Sequence, residues 1–194
     1  MRSKKTTLTL FVLFLVCLMF SANSLQGATV SLNVNLVVQE HSQWCWAASS
    51  KCVLNFKGKT PTQCQIANYS WSRSDCCGNT NFNWSHACNN PQNMYGSQGS
   101  LSSILTYWGV PNTGSATYLS YTTCQSQINS NRVFVLRFGY SGGGGHFVVG
   151  YGYNTSNSTL AYMNPWPGEG LIWESYNYVK RNSSRSWTHT IKLN

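Results

Sequence analysis

The chain changes character near residue 130, and that change sets its fold class. From Arg132 onward, short runs rich in aromatic and β-branched residues, at 132–138, 146–153, 159–163, 170–176 and 187–193, are separated by Gly, Asn, Ser and Pro. Such runs read as an antiparallel sheet. Ahead of them the spacing is helical. Residues 43–57 predict a helix with Ser42 as N-cap and Gly58 as its stop, and Leu101, Ile104, Leu105 and Trp108 share a helical face between Ser100 and Gly109. A shorter helix is expected around 121–130. Between Cys64 and Gly99 the density of Cys, Asn, Ser and Gly predicts a loop tied by bridges rather than a core element. The expected class is α+β: a helical N-terminal half, an antiparallel β-sheet C-terminal half, and a cleft between them where a site would form.

The first residues stand apart from this pattern. Arg2, Lys4 and Lys5 precede an apolar run from Leu8 to Phe20 and then small and polar residues, the order of a secretory signal peptide. The run is short for a bilayer span. Phe14-Leu15-Val16 lack the small residue that a lipid-modified Cys17 would want upstream. Cleavage is expected between Ala22 and Ala28, giving residues 1–27 as signal and 28–194 as one peptide-chain domain of a size that supports a core.

With the signal removed, ten Lys and Arg face four acids, Glu40, Asp75, Glu169 and Glu174, a balance of +6. The cations are scattered rather than striped, which argues against a nucleic acid partner. No membrane partner is expected after signal removal, and a monomer is expected. Removal of Cys17 leaves seven cysteines: Cys45, Cys52, Cys64, Cys76, Cys77, Cys88 and Cys124. In an oxidising compartment an odd count implies a free thiol or an intermolecular bridge. With Cys45 free, the other six make three bridges, in any pairing that does not join the adjacent Cys76 and Cys77. Zinc held by Cys76, Cys77, His86 and Cys88 is the alternative use of these residues. It lacks a C-x-x-C pair, and no metal site is expected.

Cys45 falls in the first turn of the predicted helix, where unpaired amide groups lower a thiol pKa. A nucleophilic thiol needs a base. Of His41, His86, His146 and His189, His146 is best placed: it opens a predicted strand after four glycines, so a substrate backbone can approach its ring. Asn164, at the end of a strand eighteen residues later, can accept a hydrogen bond from the other ring nitrogen. The Cys45 backbone amide and the Gln39 side chain are candidate donors to an oxyanion. The glycines are no nucleotide loop, since G-x-G-x-x-G and a following Lys-Ser/Thr are both absent.

Gln39-x5-Cys45-Trp46, then Gly145-His146-Phe147-Val148-Val149-Gly150-Tyr151, then Asn164-Pro165-Trp166-Pro167-Gly168 resemble the ordered blocks of papain-like cysteine proteases. The block Trp44-Cys45-Trp46-Ala47-Ala48 is similar to that of a bacterial branch that includes the plant-pathogen avirulence proteases. The resemblance implies a papain-like fold, Cys45 as nucleophile, His146 as base and acid, Asn164 as orienting residue and Gln39 in the oxyanion hole. It also implies that Trp166 shields the His146 to Asn164 bond, and that Trp46, Trp166, Gly144 and Gly145 border the substrate cleft. His146 and Asn164 follow Cys45 by 101 and 119 residues, which is shorter than the papain spacing of roughly 130 to 150. Trimmed cleft loops are therefore expected, as is the absence of room for a papain-type prodomain.

The implied activity is that of a secreted, extracellular or periplasmic, cysteine endopeptidase acting on protein or peptide substrates, without cofactor. Two alternatives use the same sequence differently. One is a thiol acyltransferase that passes the thioester to an amine. The other is a non-catalytic secreted binding protein using Trp71, Trp84, Trp173 and Trp187, residues that packing would otherwise explain.

Overall fold

The computed structural model describes residues 27–78 and 82–194; the residues expected to form a signal ahead of residue 27, Cys17 among them, lie outside the described residues. In chain order the elements are β1 (Thr29–Ser31), α1 (Cys45–Phe56), α2 (Gln63–Trp71), α3 (Leu101–Tyr107), β2 (Asn112–Ser115) and α4 (Tyr121–Asn129). There follow β3 (Phe134–Tyr140), β4 (Gly145–Asn154), β5 (Thr159–Asn164), β6 (Gly170–Ser175), α5 (Tyr176–Lys180) and β7 (Arg185–Leu193). The strands form one antiparallel sheet in the order β2-β7-β3-β4-β5-β6, with β1 paired to β4. No helix among the described residues is long and apolar enough to cross a membrane.

Side chains alternate along a strand, and here both faces are apolar. Val133, Val135, Phe147, Val149, Met163 and Ile191 pack in one core cluster with α1, α2 and α3, through Trp46, Leu54, Ile66 and Leu101. Their neighbours Phe134, Leu136, Phe138, Val148 and Tyr162 pack in the other with Cys124 and Ile128 of α4 and Val179 of α5. The helical and sheet halves are thus present as expected, but the sheet lies between two helical layers.

That layering overturns the expectation of three bridges. Two disulfides form among the described residues, Cys64–Cys77 and Cys76–Cys88. Cys52 and Cys124 are free and buried, one in each core cluster, with the sheet between them. Burial pushes both thiols up to about 12. The bridged cysteines also leave no thiolate for zinc: Asp75, Cys76 and Cys88 come within 4.8 Å of one another, but the two sulfurs are bonded together. The Cys76–Cys88 bridge closes a separation of 12 residues, so replacing both cysteines with serine is expected to cost about 3 kcal/mol by chain entropy. Urea unfolding checks this.

Two further readings need correction. α2 falls inside the segment expected to be a loop. Thr62 caps it, taking the Gln65 backbone N–H while the Gln65 side chain takes the Thr62 N–H, the reciprocal capping box. α1 begins at Cys45 with Trp44 as its N-cap residue and no side-chain cap. Ser42 does not cap it, because its hydroxyl instead accepts from Asn89 Nδ2 at 2.9 Å. Gly58 ends α1 as expected, at φ 71°.

Candidate active site

The start of α1 is held by the bridged loop. Trp44 and Trp46, on either side of Cys45, are both fully buried. Their indole N–H groups donate to the backbone carbonyls of Cys88 (2.7 Å) and Asn90 (3.1 Å). Between those two residues, Asn89 accepts the Gln43 backbone N–H at 3.1 Å. The Cys76–Cys88 bridge thereby fixes the loop that holds the residues on either side of Cys45. Sequence reasoning missed Asn89 and the loop carbonyls; the Asn89-Asn90 pair directly after Cys88 was the available signal. From the other side, the Ser49 hydroxyl donates to the Phe147 carbonyl at 3.0 Å, tying α1 to β4 one residue beyond His146.

His146 Nε2 lies 2.6 Å from Asn164 Oδ1. Asn164 Oδ1 also receives the Trp166 backbone N–H at 3.0 Å, which fixes that atom as an acceptor. Nε2 of His146 is therefore the protonated nitrogen, and Nδ1 keeps a lone pair for a proton. The Trp166 ring stands edge-on to the imidazole, at 6.1 Å between centroids.

A cavity of about 420 Å3 is lined by Cys45, His146, Asn164 and Trp166, with Arg185 and Glu169. A second, of about 440 Å3, meets it at Cys45 and Gly145 and is lined by Trp46, Tyr95, Arg137 and Gly144. Six of the residues singled out from the sequence, Cys45, His146, Asn164, Trp166, Gly144 and Gly145, thus converge on one cleft. Trp46 reaches the second cavity from the core. A larger cavity, of about 700 Å3, lies elsewhere, against Lys59, Arg73 and Tyr107.

Gln39 is placed differently from the other expected site residues. It is buried, and its Nε2 donates to the carbonyls of His41 (2.9 Å) and Ser42 (3.0 Å). Both amide hydrogens are thus spent on the turn entering α1, while Oε1 has no partner. An oxyanion would draw on Gln39 only if one of those bonds opened, whereas the first N–H groups of α1 have no intrahelical partners.

Burial dominates the electrostatics. It pushes the Cys45 thiol up to about 11, against the backbone N–H groups of Phe147, Trp46 and Cys45 itself and the charge of Arg137, which pull it down. Burial also lowers the His146 pKa, with Arg185 acting the same way, while the Asn164 bond and Glu169 raise it. Both directions favour a neutral thiol and a neutral imidazole on this cleft at neutral pH.

The Asn164 bond gives a direct test. A base at His146 would have to be neutral to accept a thiol proton, so activity is expected to be lost as pH falls through its pKa, which lies below the ordinary 6.5. Asn164→Asp places a carboxylate on the ring and favours the charged form. The acid limb of the kcat/KM profile is expected to move to higher pH.

No curated protein sequence matches the chain significantly. Among solved structures, the peptidase domain of Streptococcus ComA, a bi-functional ABC transporter involved in quorum sensing, is similar with 14% identity and a TM-score of 0.57, over 83% of this chain and 98% of that one. A double glycine motif protease from an AMS/PCAT transporter, in complex with the leader peptide, shares 17% identity with a TM-score of 0.51, over 85% of this chain and 95% of that one. Xylellain, a cysteine protease from Xylella fastidiosa, shares 11% identity with a TM-score of 0.51, over 86% and 85%. These likenesses concern the fold. Residues 31–193 match the Peptidase_C39 like family, and the chain belongs to that family, as a cysteine peptidase.

Proposed function

We propose that the protein is a secreted cysteine endopeptidase that cleaves peptide bonds through Cys45, His146 and Asn164 by way of a thioester. The observation that carries this is the 2.6 Å contact from His146 Nε2 to an Asn164 oxygen that already accepts the Trp166 N–H, on a cleft shared with Cys45. That arrangement leaves Nδ1 as the base. As the Cys45 sulfur attacks the carbonyl carbon, its proton passes to Nδ1. The oxyanion is met by N–H groups at the start of α1. The imidazolium then protonates the leaving amine, and the neutral ring next takes a proton from water, which hydrolyses the thioester.

Cavities on both sides of Cys45 suit a peptide that extends beyond the scissile bond in both directions, hence an endopeptidase. A bound leader peptide in one similar protease favours a peptide substrate here also. The signal-like residues ahead of 27 and the two disulfides favour an extracellular or periplasmic site of action for a monomer. The finer likeness to the avirulence proteases rests on the Trp44–Ala48 block alone.

Incubation with unfolded casein followed by a millisecond acid quench tests the proposal. Intact-mass analysis should find casein fragments esterified to the Cys45 sulfur. No cleavage at all, or cleavage that persists in Cys45→Ala, would contradict it.

A further inference from the structure

We propose that Arg137 makes the acyl side of the cleft a subsite for an acidic side chain, Asp or Glu, a short way N-terminal to the scissile bond. This rests on the peptidase reading above. The direction of the substrate follows from the proton transfers. His146 must reach the leaving amine, so the segment beyond the scissile bond lies in the cavity with His146 and Trp166. The acyl segment then lies in the other cavity, against Gly144, Gly145, Tyr95 and Arg137.

Among the described residues, Arg137 is the one Lys or Arg lining that acyl-side cavity, and no Asp or Glu lines it. Its recorded partners are neutral: Nη1 donates to Thr188 Oγ1 at 3.1 Å and Nη2 to the Gly144 carbonyl at 3.0 Å. The ion pairs among the described residues are Arg73–Asp75 and Arg185–Glu174, and neither involves it. A guanidinium carries five N–H donors in a planar fork, so those two bonds hold the group in place and leave donors for a carboxylate.

The bland role for Arg137 is a clamp between β7 and the glycine turn. That role is met by the bonds to Thr188 and Gly144, and neutral acceptors do not call for a full positive charge. The turn itself is shaped around the guanidinium. A Cβ on Gly145 would come within 2.5 Å of Arg137 Cζ, so only glycine at the residue before His146 lets the group lie against the backbone that borders the cleft. The charge is also felt at the nucleophile, where Arg137 favours the Cys45 thiolate. A half-buried, preorganised guanidinium with no carboxylate of its own, in a cavity that Cys45 also lines, is the recognition element for an acidic side chain.

The test is a series of internally quenched peptides that differ only by Glu against Gln, or Asp against Asn, at each of the first three residues on the acyl side. At one position the acidic peptide is expected to show kcat/KM about 10- to 100-fold above its amide twin, the range that a charge-assisted pair supplies. In Arg137→Gln that ratio should fall to near one, and in Arg137→Glu it should fall below one, in favour of the amide peptide. The ratio in the unmodified protein needs no variant to fold. Equal cleavage of every acidic and amide pair would overturn the subsite and leave the peptidase reading standing. Failure to cleave any peptide, together with absence of an adduct on Cys45, would overturn both.

Discussion

Cys45→Ala is expected to lower kcat/KM on order of 10^4- to 10^6-fold, the scale of losing a nucleophile that acts as one unit with its base. Stability should barely change. Cys45 is partly buried at the first position of α1, and alanine is small and favourable in a helix. The two other free thiols among the described residues offer no rescue, because Cys52 and Cys124 are buried in the cores with pKa values pushed up to about 12. Peptide cleavage and thermal unfolding measured on the same preparation check both halves. Residual turnover above about a hundredth of the original would mean that Cys45 is not the nucleophile.

Trp44→Ala carries the largest expected structural effect. The side chain is fully buried and packs against His41, Phe82 and Trp46 at centroid distances of 4.3, 5.7 and 6.4 Å. Truncating a buried Trp to Ala typically costs about 3–5 kcal/mol. The variant also loses the N–H that reaches the Cys88 carbonyl at 2.7 Å. Against a total stability of about 5–15 kcal/mol, and with about 2–4 °C lost per kcal/mol in a domain of this size, the midpoint should drop by roughly 6–20 °C. Calorimetry measures it. Activity should fall further than the folded fraction does, because the same indole joins the nucleophile's helix to the bridged loop. Trp44→Phe, which keeps a ring and loses the N–H, should recover most of the stability. A drop no larger than that of a surface substitution would remove the loop from the account of how Cys45 is positioned.

Local signals were legible in the sequence wherever neighbours in the chain are neighbours in space. The helix ending at Gly58, the face of Leu101, Ile104 and Leu105, and the five aromatic runs all appear as elements, because periodicity and capping act within a few residues. α2 was hidden by its composition: Cys64, Asn68 and Ser70 suggested a loop, while the Thr62 and Gln65 box that starts the helix went unweighed. Pairing of cysteines is a tertiary matter. Cys52 and Cys124 each sit on a helix of ordinary pattern, and nothing in that pattern tells which face of the sheet a helix will cover. The same limit applies to Ser42, whose hydroxyl is claimed by Asn89 from 47 residues away. Cys45, His146 and Asn164, singled out from the sequence as a possible triad, line one cavity in the fold. The placements of Asn89, Arg137 and the Cys88 carbonyl depend on contacts between distant segments and are visible only in the fold.

The most direct measurement is the site and rate of alkylation in the oxidised protein. The protein is treated with a papain-type epoxide, and the adduct is mapped by mass spectrometry in the unmodified chain and in His146→Ala. Labelling should be confined to Cys45, with Cys52 and Cys124 untouched, and should fall steeply in His146→Ala while the fold is retained. Labelling of Cys52 or Cys124 in preference to Cys45, or a rate indifferent to His146, would contradict the assignment of Cys45 and His146 as nucleophile and base.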